Sequence, residues 1–242
     1  MDPNATTPTA EQLVQIGLAH HQAGRLEQAN EAYQQALHEN PSQPDALHLL
    51  GMLSHQVGNT EFALDLINLA IHANPTSPIF HCNRGLVLQA TGKLDEAIAG
   101  FRAALAIDSS NAVFHYNLGY ALQTQGKLSA AVTSYRQALA LAPDHVETLS
   151  NLGHTLRAQG ELDQAVESYR HALSVAPGLA ELHFNLGAAL NEQGKLDDAI
   201  ESYRHAIARF PDYAQAHCNL GAALLARGKI DDAVVSYQRA LS

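Results

Sequence analysis

Five asparagines stand at a constant interval of 34 residues: Asn83, Asn117, Asn151, Asn185 and Asn219. A carboxamide carries both a donor and an acceptor, so each can pair with an N–H and a C=O of an extended peptide without reading its side chains. Tyr116, Tyr120 and Phe184 lie close to them in the chain. Residues four apart on a helix share a face, so Tyr116 and Tyr120 would add apolar platforms between the amides. Such a row suits binding rather than catalysis.

The other residue types that could do chemistry lead elsewhere. Fourteen histidines are present, and His81, His115, His183 and His217 recur two residues ahead of an asparagine, while His171 and His205 form a second recurring pair. Equivalent residues on neighbouring helix pairs are separated by roughly 20 Å, about two helix diameters, too far to share one ion. The histidines are therefore expected to be polar packing at seams, with no metal and no cofactor. The sequence contains no nucleophile elbow, P-loop, GxGxxG, HExxH or CxxC. No catalytic residue is assigned, and the chain is not expected to be an enzyme. Asp45, Glu147 and Glu181 could face a basic ligand, although a carboxylate in a first helical turn also complements the dipole. Arg102, Arg136, Arg170 and Arg204 fit a solvated outer stripe beside Glu167 and Glu201.

The interval of 34 extends well beyond the asparagines. FHYNLGYALQTQGKLSAAVTSYRQALALAP, from Phe114 to Pro143, nearly rewrites itself one period later as LSNLGHTLRAQGELDQAVESYRHALSVAP. A fixed period without insertions means a repeat array, each copy one supersecondary unit. The frame divides the chain into a tail, 1–9, expected to be disordered, and repeats 10–43, 44–77, 78–111, 112–145, 146–179, 180–213 and 214–242.

Fourteen of the sixteen glycines occupy two positions of this frame. The fifteenth (Gly24 to Gly228) follows an apolar-periodic run and predicts a helix stop and a tight turn. The eighth (Gly17 to Gly221) lies inside the first run, where glycine costs about 1 kcal/mol relative to alanine. That cost makes sense where another backbone comes close, and the alanine at position twenty (Ala29 to Ala233) is the expected partner. Position twenty-four is Tyr33, Ile67, Phe101, Tyr135, Tyr169, Tyr203 and Tyr237, and position twenty-seven is always alanine. These two are expected to face the next repeat. Pro41, Pro75, Pro143, Pro177 and Pro211 end the second helix, with Ser109 standing in for proline in the third repeat. The pattern predicts an all-α chain of fourteen helices, at positions 2–14 and 18–31 of each repeat.

Leu, Gly, Ala, aromatic, Ala and Pro at these offsets resemble the tetratricopeptide repeat, over residues 10 to 242. The resemblance implies a right-handed α-solenoid of antiparallel helix pairs. It also implies that the first helices line a concave groove holding a peptide or another protein. On that reading Asn83, Asn117, Asn151, Asn185, Asn219, Tyr116, Tyr120 and Phe184 are the groove residues of an interaction scaffold. Repeats one and two carry Gln15 and Leu49 in place of the asparagine. The words HYNLG, HFNLG and HCNLG are further similar to the repeats preceding the catalytic domain of O-linked N-acetylglucosamine transferases and their bacterial relatives. This implies substrate selection for a glycosyltransferase lying outside the chain. A chaperone-tail clamp would need groove lysines, and Val14 and Leu18 do not supply them.

Composition limits the partners. The net charge of −10 repels phosphate backbones, so no nucleic acid is expected. The apolar runs are too short for a membrane span, and MDPNATTPTA lacks the features of a signal peptide. A soluble, cytoplasmic chain is expected, with Cys82 and Cys218 as free thiols, and the Asn4 sequon is expected to be incidental. Asn30 and Glu39 give repeat one a solvated outer side, whereas Val234, Val235, Tyr237 and Leu241 leave repeat seven apolar and uncapped. A homodimer through that last repeat is the expected self-association.

Overall fold

A computed structural model describes residues 8–241. Most of the expected disordered tail, residues 1–7 with the Asn4 sequon, lies outside the described residues. Thr9 caps the first helix: its hydroxyl accepts from the Gln12 N–H, and the Gln12 side chain accepts from the Thr9 N–H. This reciprocal pair satisfies two donors the helix cannot satisfy itself.

The described residues are all α-helical, in seven hairpins. The first four are α1 Ala10–Gln22 with α2 Leu26–Glu39, α3 Pro44–Gln56 with α4 Thr60–Ala73, α5 Pro78–Ala90 with α6 Leu94–Ile107, and α7 Ala112–Thr124 with α8 Leu128–Leu141. The last three are α9 Val146–Ala158 with α10 Leu162–Val175, α11 Ala180–Glu192 with α12 Leu196–Arg209, and α13 Ala214–Ala226 with α14 Ile230–Ala240. Helices begin one position earlier than the apolar pattern suggests. Pro44 and Pro78 show why, since proline at the first helical position gives up an N–H that has no partner there anyway.

The turn inside each hairpin is set by the fifteenth position. Gly126 has φ 79°, left-handed backbone that costs a side chain dearly. There its N–H donates to Gln123 O at 2.9 Å, and the Lys127 N–H donates to Leu122 O at 2.9 Å, closing the end of α7. All seven glycines at this position have positive φ.

The alanine expected opposite the eighth-position glycine comes close in two hairpins, with the Ala63 carbonyl 3.0 Å from a Cβ on Gly51 and the Ala97 carbonyl 3.1 Å from one on Gly85, but the side chain at position twenty-four comes closer. In six of the seven repeats the glycine's nearest neighbour is the aromatic ring at position twenty-four of the same hairpin. A Cβ on Gly153 would lie 2.7 Å from Tyr169 Cε1, and one on Gly187 would lie 2.8 Å from Tyr203 Cδ1. In the second hairpin Gly51 faces Ile67 at 2.9 Å and the Ala63 carbonyl at 3.0 Å. The ring thus packs inward on its own hairpin before the next repeat covers it. Tyr33, Tyr135, Tyr169 and Tyr203 are in consequence fully or almost fully buried.

The described residues form two compact units that divide between Asn117 and Leu118, with α7 contributing to each. In the first unit α2 packs on α3 and α4 on α5, and α1, α3 and α5 touch in sequence. In the second, α8 packs on α9, α10 on α11 and α12 on α13, while α9, α11 and α13 touch in sequence. Each unit therefore presents a continuous face of first helices. Among the described residues, no helix is long and apolar enough to cross a membrane.

Candidate functional site

The recurring asparagines lie on these first helices, and the side chains of Asn83, Asn117, Asn185 and Asn219 lie against residues of the preceding repeat. In the first unit Asn83 Nδ2 donates to His48 Nε2 at 2.8 Å, and Asn117 Nδ2 donates to Cys82 Sγ at 3.4 Å. Both partners hold the fifth position of the repeat before. In the second unit the Asn185 side chain lies against His154 with its Nδ2 unpartnered, and the Asn219 side chain lies beside the Tyr203 hydroxyl. Exposure alternates along the row: Asn83, Asn151 and Asn219 are half-buried, whereas Asn117 and Asn185 are buried. The members of the row that keep some exposed surface are thus Asn83 in the first unit, and Asn151 and Asn219 in the second.

Burial governs the ionisation of the groups beside them. His48 is pushed down to about 4 by burial, so it is neutral and accepts the Asn83 hydrogen. Burial raises the Cys82 thiol, with the Asn117 bond opposing, which keeps the sulfur protonated and unreactive. His154 is lowered by burial and then by Arg157, with the neighbouring Asn185 amide and Glu181 acting the other way. Tyr203 is raised by burial to about 12, with the neighbouring Asn219 amide acting the other way.

The aromatic candidates separate. Tyr116 is half-buried in the first unit; Tyr120 is exposed in the second. Phe184, half-buried, packs 5.9 Å from Tyr203 and 5.0 Å from Tyr213, and Tyr213 lies 5.7 Å from Phe210. Sequence reasoning missed Tyr213. The available signal is its place at the thirty-fourth position, where the other repeats put Gln43, Ser77, Asn111, His145 and Leu179.

The fourth-position histidines share one role. His81, His115, His183 and His217 each bring Nε2 to the carbonyl of a loop residue six positions back, at 3.0, 3.0, 3.0 and 2.8 Å. Each ring ties down the loop leading into its helix. No group of three or more His, Cys, Asp or Glu residues placed to hold a metal occurs among the described residues. Cys82 and Cys218 are free thiols, the first buried and the second exposed.

Tandem helix hairpins of 34 residues, each with a glycine turn and six of the seven with a ring packed on a glycine, define a helical-repeat scaffold. The tetratricopeptide repeat model matches residues 110–178, 144–212 and 178–242, and two further models of the repeat match 90–126 and 14–78. The chain belongs to the tetratricopeptide repeat family, whose arrays are protein-interaction scaffolds that bind protein or peptide partners. Among solved structures it is similar to PilW, a widely conserved type IV pilus biogenesis factor, with 20% identity, a TM-score of 0.75, and coverage of 90% of this chain and 100% of that one. It is also similar to YrrB, described as a TPR protein with an unusual peptide-binding site, at 24% identity and TM-score 0.69, covering 77% and 96%. MamA follows at 23% identity and TM-score 0.65, covering 69% and 97%. At these identities the likeness is one of fold. No curated protein matches the chain.

Proposed function

We propose that the chain is a cytoplasmic scaffold whose first-helix face holds an extended segment of a partner protein. In the second unit, the half-buried Asn151 and Asn219 would meet the segment's backbone, and Phe184 and Tyr120 its side chains. In the first unit, Asn83 and Tyr116 would do the same. The observation that supports this reading is the contact of α9, α11 and α13 in sequence, which sets side by side the helices that carry these half-buried residues. The buried Asn117 and Asn185 would act at one remove, by fixing the seams. Replacing Asn151 and Asn219 together with alanine is expected to weaken binding of a peptide selected by display on the purified chain by roughly thirtyfold, since each of the two lost hydrogen bonds is worth about 1 kcal/mol. Circular dichroism would stay unchanged. An unaltered affinity would reject the site.

A second reading rests on α14. Val234 and Val235 are 50% and 56% exposed, whereas Ile98, Val132, Val166 and Ile200, in the same repeat position as Val234, are buried. A second copy of α14 lying antiparallel would cover this face and bring Asp231 and Asp232 of each copy near Arg239 of the other. Val234→Glu with Val235→Lys is expected to convert a dimer to a monomer in light scattering. A parent chain already monomeric at high concentration would rule this out. The narrower role of selecting substrates for a glycosyltransferase rests on the wording of the repeats alone, and reading the coding sequence past residue 242 tests it directly.

A further inference from the structure

Phe184 on α11 and Tyr213 ahead of α13 face each other across 5.0 Å at an interplanar angle of 38°, and half-exposed Phe210 extends the patch. Glu181 precedes Phe184 by one turn of α11, so its carboxylate stands on the same face as the ring. Its charge reaches the rings: burial, and after it Glu181, raises the Tyr213 phenol. Glu181 is exposed, and none of the ion pairs among the described residues uses it. Two arginines in this unit are engaged elsewhere. Arg157 pairs with Glu192 at 3.6 Å, and Arg209 donates to the Pro177 and His205 carbonyls. An aromatic surface edged by an unneutralised carboxylate complements a flat cation. The ring faces are electronegative, and a guanidinium can stack on them while donating two parallel hydrogen bonds to a carboxylate. The net charge of −10 favours the approach of a basic segment.

We propose that Glu181, Phe184 and Tyr213 form a cradle for an arginine side chain of the bound segment. This rests on the first-helix face being the peptide site and adds what that site prefers. Lysine fits less well, because its ammonium makes no fork and stacks poorly.

The test uses the full chain and two blocked peptides, acetyl-Ala-Leu-Arg-Leu-Ala-amide and its twin with citrulline, which keeps the shape of arginine without the charge. Titration followed by the ring resonances of Phe184 and Tyr213 is expected to show the arginine peptide binding roughly fivefold or more tightly. Glu181→Gln should narrow the gap between the two peptides without changing the circular dichroism, the remainder being the stacking of the cation on the rings, and an unchanged gap would overturn the part given to Glu181. Equal affinities in the parent chain would overturn the cradle while leaving the peptide face standing. Arginine-dependent shifts that spare these two rings, or no binding of either peptide, would overturn it too. The peptide face itself is judged independently by the Asn151 and Asn219 replacement with a selected peptide.

Discussion

Gly153→Leu is expected to destabilise the second unit by at least about 3 kcal/mol, visible as an early loss of helicity in urea. A Cβ at this position would already sit 2.7 Å from Tyr169 Cε1 and 2.8 Å from Cζ. The ring cannot swing aside, because Tyr169 is completely buried and α10 is packed on both α9 and α11. Helix propensity pulls the other way, by about 1 kcal/mol in favour of any residue like alanine or leucine. Overpacking in a closed interior costs about 1–3 kcal/mol for added methylenes, and leucine adds four carbons here. Gly153→Ala should fall between parent and leucine variant. An alanine variant more stable than the parent would show that propensity wins and that the ring yields.

Acid is expected to loosen the first unit through His48. The ring is buried, stacked 4.6 Å from Phe80, and its Nε2 accepts the Asn83 amide hydrogen. Burial lowers its folded-state value to about 4 from the ordinary 6.5. Above pH 6.5 the residue is neutral in both folded and unfolded chains and contributes no pH dependence. Between 6.5 and 4 the unfolded chain takes up a proton that the folded chain refuses, so stability falls with pH. The loss reaches about 2 kcal/mol at pH 5 and about 3 kcal/mol near pH 4. His48→Gln keeps an acceptor for Asn83 but cannot titrate, so urea midpoints compared at pH 7.5 and 5 should drop less in the variant. His154 and His183, also lowered first by burial, will leave a residual slope. An identical drop in both proteins would exclude His48 as a source.

The architecture was readable because a period of 34 states it seven times over, and because glycine and proline fall at the turns and helix ends. The ring packed on six of the seven eighth-position glycines was less readable. Positions twenty and twenty-four share one face of the second helix, so spacing alone allows either to meet the glycine. The ring prevails because helical side chains lean toward the N-terminus, carrying Tyr169 back over the turn that holds Ala165. The amide row was legible in position and opaque in direction. Repetition places Asn83 and Asn117 identically, but their partners are His48 and Cys82, residues that differ from copy to copy. Tyr213 escaped for the same reason, since it is a departure from the period and periodicity hides departures.

Every described helix contact within the two units joins elements one or two places apart in the chain. Nothing among those contacts straps the first hairpin of a unit to its last. Strain placed on such a unit is shared among its seams, each rotating slightly, instead of collecting at one rupture point. A unit built this way is compliant like a coil spring, and it can shorten or lengthen to match the repeat distance of whatever lies along it while its hairpins stay folded.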